Sequence, residues 1–177
     1  MTGSSKSIQP RSTLGQGSRP TRPRIGTLVM ALLEDDYNKT GHMREAATAA
    51  AQDIANLIGR FGDVIHAGLV EEEHQAAAAA RRFNAEDVDV IVALELAYTK
   101  GIVPARCFID TSAPVVVWNA QKISRLGESD GFDVVMLNSG MAGIPELTAG
   151  LIRTGRDFTM VTSRLDDPAG QAKLGEA

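Results

Sequence analysis

The chain has 177 residues, of which 44% are hydrophobic and only 5% aromatic. That is enough for one domain whose core is filled by alanine, valine, leucine and isoleucine. No apolar run of about 18 residues occurs, which excludes a membrane-spanning helix. The single cysteine, Cys107, rules out an internal disulfide and fits a reducing, cytoplasmic setting. The net charge of −4 hides an asymmetry: Lys6, Arg11, Arg19, Arg22 and Arg24 crowd residues 1–24, which hold no acid. The remainder is strongly acidic, a surface that repels nucleic-acid phosphates.

Residues 1–23 are Ser, Gly, Pro and Arg with almost nothing to bury, the composition of a disordered tail. They contain no apolar core of a secretion signal. From there strands and helices alternate. "RIGTLVMALL" (24–33) is a continuous apolar run, as in a strand covered on both faces. "TGHMREAATAAAQDIANLIGRFG" (40–62) repeats apolar residues at steps of three and four and ends at Gly62, predicting a helix. "DVIHAGLV" (63–70) predicts a second strand. "EEEHQAAAAARRFNA" (71–85) predicts a helix whose acids stand at its start and arginines near its end. "VDVIVALEL" (88–96) and "APVVVWN" (113–119) predict strands three and four, with a short helix between them that holds Pro104. "DVVML" (133–137) reads either as a strand stub or as the entry to a helix. "PELTAGLIRTG" (145–155) predicts a helix with Pro145 at its start and Gly155 past its end, and "DFTMVTS" (157–163) a fifth strand.

Five apolar strands separated by helices predict an α/β fold: a flavodoxin-like, three-layer arrangement with a five-stranded parallel sheet, order 2-1-3-4-5, and helices on both faces. The domain is expected over residues 24–167, with 168–177 beginning a following segment. Ligands of such folds bind beyond the carboxyl ends of the strands.

Several constellations near those ends carry little. Glu34, Asp35 and Asp36 invite comparison with the Mg²⁺ site of receiver domains, but Glu95, Asn119 and Ser163 or Arg164 stand where such domains need Asp, Ser or Thr, and Lys. Glu71 and His74 share a helix face, yet a two-metal carboxylate site needs paired copies of that spacing in a bundle. Nucleotide-binding glycine motifs and the G-x-S-x-G elbow are absent. The turn "LNSGMAG" (137–143) precedes a helix start, where free N–H groups attract anions. With no basic residue between Asn138 and Leu151, it reads as a helix cap, or as a turn offering Asn138 or Ser139 to a neutral polyol.

The stretches "VIVALELAYTKGIVPARCFIDTSAPVVVWNAQ" and "FDVVMLNSGMAGIPELTAGLIRTGRDFTMVTS" resemble the first domain of the L-arabinose isomerase and L-fucose isomerase superfamily. The resemblance spans about residues 24 to 168 and rests on order and spacing. Its best points are the "WNAQ" strand end and the "LNSGMAG" turn. There are departures. "LLEDDYNK" replaces a Gly-, Ser- and Gln-containing turn, "ELAYTK" lacks a His-Thr pair, and Asn119 stands where a His is usual. They point to a divergent branch. The resemblance implies that the intact protein interconverts an aldose and a ketose, a pentose or deoxyhexose, using Mn²⁺ or a similar ion whose ligands come from later domains. It further implies that Glu34, Tyr37, Gln121 and Asn138 contact the sugar substrate, that the protein forms a homo-oligomer, and that this chain has no activity alone. The other expectation is a stand-alone flavodoxin-like module that binds a small ligand or a protein without catalysis.

Overall fold

The structure, a computed structural model, describes residues 22–33 and 42–177. Its centre is a five-stranded sheet in the order β2-β1-β3-β4-β5, every neighbouring pair parallel. The strands are β1 (Arg24–Met30), β2 (Asp63–Val70), β3 (Val90–Glu95), β4 (Val115–Gln121) and β5 (Phe158–Arg164). The order matches the one the sequence predicts, and so do the helices on both faces.

The apolar runs explain who sits in the middle. β1 is buried from Ile25 through Met30 and β3 from Ile91 through Glu95, as strands covered on both faces require. β5 instead exposes Thr159, Met160, Thr162 and Arg164, the pattern of an edge.

Helices α1 (His42–Ile58) and α6 (Pro168–Glu176) cover one face; α2 (Glu73–Ala85), α3 (Ile102–Ile109) and α5 (Ile144–Arg153) cover the other. α1 buries Met43, Ala47, Ala50, Ala51, Ile54 and Ile58, one stripe at helical spacing. It ends at Ile58, short of Gly62, in a tightened last turn where the Arg60 and Phe61 N–H groups donate to Leu57 and Ile58. α2 packs Ala76, Ala79, Ala80 and Phe83. Pro104 is the third residue of α3, where the first-turn N–H groups have no helical partner to lose. The stretch "DVVML" is helical, forming most of α4 (Phe132–Met136). α5 stops where Gly155 takes φ 68°. The Arg156 N–H then donates to Leu151 and the Gly155 N–H to Ile152, which satisfies carbonyls the helix end would orphan. α6 packs on β5 and places Leu174, 7% exposed, in the shared core.

Two arginines tie connections down. Arg22 donates to the carbonyls of Gly59 (2.7 Å) and Gly62 (3.1 Å), so it already belongs to the domain. The remaining tail, residues 1–21, lies outside the described residues. Arg156 donates to the carbonyls of Phe108, Thr111 and Ala113, closing the α3–β4 connection.

Trp118 on β4 is fully buried and its indole N–H donates to Ser163 Oγ on β5 at 2.9 Å. Trp118→Phe removes that bond and leaves a small void, with an expected cost of about 1–2 kcal/mol. Urea unfolding followed by circular dichroism reads it; an unchanged midpoint would mean the indole contributes nothing to holding the edge strand.

Candidate functional site

In a parallel sheet the strand order reverses at one point, and a crevice opens there beyond the carboxyl ends. Here the reversal lies between β1 and β3, whose last residues, Met30 and Glu95, are paired in register. Glu34 and Tyr37, expected in the site, fall in 34–41 and lie outside the described residues.

Glu95 is the feature that composition does not prepare for. It is 2% exposed, the only buried carboxyl among the described residues. Oε2 accepts the Thr99 N–H at 3.3 Å, while Oε1 has no hydrogen-bond partner. Burial pushes its pKa up to about 8; the Thr99 N–H opposes that rise and the Glu146 carboxylate adds to it. At neutral pH the side chain is largely the neutral acid, a state that avoids burying an uncompensated charge.

The turn from Asn138 to Gly143 lies on top of it. A Cβ on Gly140 would overlap the Glu95 carbonyl, and one on Gly143 the Glu95 carboxyl. Two glycines therefore let main chain sit directly on this residue. Ser139 Oγ accepts the Tyr98 N–H at 3.2 Å and donates to the Met136 carbonyl at 2.7 Å. Beyond the turn, Glu146 on α5 accepts the Tyr98 hydroxyl (2.9 Å) and the Gly101 N–H (3.0 Å). These two donors lower the Glu146 pKa, the Gly101 N–H most; the same carboxylate raises the Tyr98 phenol. A neutral acid and a carboxylate thus act on one another from opposite protonation states. A cleft of about 390 Å³ opens beside Glu146 between α3 and α5, lined also by Ile102, Gly150 and Arg153 among others.

Gln121 and Asn138, 17 residues apart in sequence, meet on the same edge. Asn138 Oδ1 accepts the N–H groups of Lys122 (2.9 Å) and Ile123 (3.2 Å), immediately after Gln121. Gln121 Nε2 donates to Met141 Sδ at 2.8 Å. Both are partly exposed. Asn138 is half committed to holding the β4 exit, leaving its amide nitrogen to offer a ligand. Ser139 is used internally as donor and acceptor, which leaves little for a polyol.

Other sequence candidates separate. Glu71 pairs with Arg44 at 3.0 Å, whereas His74 turns to Glu72 at 3.0 Å. Among the described residues no three His, Cys, Asp or Glu side chains gather as metal ligands. A neutral acid and a carboxylate that already accepts two hydrogen bonds do not fit a Mn²⁺ site. Cys107 is buried on α3 and its thiol is pushed up to about 12, by burial above all, so it is no nucleophile. No described helix is long and apolar enough to cross a membrane.

Sequence reasoning passed over Glu95 as a mismatch to receiver domains. The available signal was its own: one acid inside the apolar run "VIVALEL", where a charge is costly unless the site uses it. The chain matches no protein-family model, and a search of curated proteins returns no match either.

Proposed function

We propose that this chain is the N-terminal α/β domain of a sugar-isomerase-like protein, whose carboxyl sheet edge lends Gln121 and Asn138 to a pentose or deoxyhexose pocket. The observation that carries this reading is the meeting of those two amides at one strand-end edge, joined through Lys122, Ile123 and Met141. Amide side chains both donate and accept, which suits sugar hydroxyls, and the edge is where folds of this order bind ligands. The proton transfers of aldose–ketose interconversion, and the Mn²⁺ or similar ion, are assigned to residues outside this chain. Neighbouring subunits of a homo-oligomer would close the pocket.

The test is ligand-observed NMR on the full chain with L-arabinose and L-fucose. The expected result is saturable binding of one of them with Kd of about 1 mM or weaker, near −4 kcal/mol. Binding should be lost in Gln121→Ala while the thermal midpoint holds, and the chain should turn over neither sugar with Mn²⁺ added. Binding that survives Gln121→Ala unchanged would sink the assignment of this edge. Turnover by the chain itself would sink the assignment of the chemistry elsewhere.

A further inference from the structure

We infer that Glu95 and the turn Ser139–Gly143 form a proton-operated latch. With its proton on, Glu95 lies under the turn and the turn stays shut. When the proton leaves to water, the turn lifts, solvates the carboxylate and frees Gln121 and Asn138 for a ligand.

The geometry points there from four directions. Glu95 is covered by this turn: Gly140 sits against its carbonyl and Gly143 against its carboxyl. Oε1 is the one buried side-chain polar atom without a partner among the described residues, so an ionised Glu95 keeps one oxygen unsatisfied as long as the turn is closed. The outer residues of the turn, Met141 and Ala142, are exposed, and the covered ones, Gly140 and Gly143, carry no side chain, so lifting it breaks the Ser139–Tyr98 bond but uncovers no buried side chain of its own. Finally, the turn carries Asn138 at its start and holds Gln121 through Met141, so its position sets what those amides can offer.

Among the described residues, the groups that act on Glu95 are few. From α5 comes the Glu146 carboxylate, itself held by the Tyr98 hydroxyl and the Gly101 N–H. From its own loop comes the Thr99 N–H. Beside it on β1 stands Met30, which is apolar. No described cation contributes to its titration. The folded carboxyl is raised to about 8 from 4.5, so the closed turn is most favoured below the lower value and loosens as pH rises towards the upper one. Above it the closed form is ionised too and the loosening stops. The latch stands whether or not the ligand is a sugar.

Amide hydrogen exchange on the full chain tests it, with rates corrected for the intrinsic pH dependence. Protection of the amides of residues 139–143 is expected to fall up to about tenfold per pH unit between about pH 5 and pH 8 and to level off above. The turn should open with little dependence on added urea, while amides of β1 and α1 open with a strong one. In Glu95→Gln the turn's protection should not vary with pH. The idea fails if turn amides share the free energy and urea dependence of the core, because the turn then opens only with the whole domain. It also fails if Glu95→Gln keeps the wild-type pH profile. Carbon-13 NMR of the Glu95 carboxyl in the unmutated chain adds a readout that needs no variant. A titration between about pH 6 and pH 8 together with shifts at Gly140 and Gly143 supports the latch, and one below about pH 6, or one without those shifts, overturns it.

Discussion

Gly140→Ala is expected to destabilise the domain by about 3 kcal/mol, the upper end of what forced overpacking costs, or to prevent folding. The added Cβ would overlap the carbonyl oxygen of Glu95. That oxygen belongs to the end of a central strand, where β3 pairs with β1, so it cannot swing aside as a side-chain tip would. The turn must rise or the strand must bend. Either loses the Ser139–Tyr98 bond and opens a gap over a buried acid. In a domain of this size such a loss lowers the thermal midpoint by about 6–12 °C. Gly150→Ala is the control. It lies inside α5, where a Cβ would first meet the Gly101 carbonyl at an ordinary 3.5 Å. Helix propensity favours the alanine there by about 0.5–1 kcal/mol. Urea unfolding of both variants decides the matter. Equal midpoints for the two would mean the turn is not seated on Glu95. The same comparison answers whether the glycines of "LNSGMAG" serve a ligand or a corner. They serve close approach to the residue beneath.

The contrast between these two glycines shows what a sequence displays and what it conceals. Period and composition display the elements. An unbroken apolar run such as 24–33 has one physical solution in a domain this small, a covered strand. The Ala-rich stripe of α1 has one as well. Five such runs and their helices leave the 2-1-3-4-5 order as the natural winding, and the sheet adopts it. Distances across the fold are concealed. "LNSGMAG" and "ELAYTK" lie about 40 residues apart in sequence, and nothing local says that one lies on the other. A buried Glu95 and an exposed Glu146 are the same letter. Only the packing gives them opposite protonation states. Gln121 is marked by a resemblance and Asn138 also by its place in a glycine turn, neither by periodicity. Their shared edge became visible only when the β4 exit was seen to donate its N–H groups to Asn138.

The stability of the domain is expected to fall as pH rises from about 5 to about 8, by about 2–4 kcal/mol, with Glu95 as the cause. The sign follows from proton counts. In the folded protein the carboxyl is raised to about 8; in the unfolded chain it returns to 4.5. Between these values the folded state holds a proton that the unfolded state has released, so raising the pH favours unfolding. Stability from this group is complete below the lower value and has been lost by the upper one. The full difference in pKa corresponds to on the order of 5 kcal/mol. A turn that can lift limits the loss, because once opening costs less than keeping the charge buried the turn opens and the fall levels off. His66 works the other way. Burial, and then Arg82, lower its pKa, so it contributes stability above its ordinary value that is lost as pH falls. Glu95→Gln separates the two. The variant keeps the shape and one acceptor for the Thr99 N–H but has no proton to lose. Its stability should lose the downward slope and rise slightly with pH on account of His66, and by pH 8 it should exceed that of the wild type by about 2–4 kcal/mol. Urea unfolding at a series of pH values measures both curves. If they run parallel, Glu95 is ionised in the fold and its burial has been balanced by some partner. If they converge only below about pH 5, the acid at the end of β3 holds its proton in the folded protein at neutral pH, at a stability cost the glutamine variant does not bear.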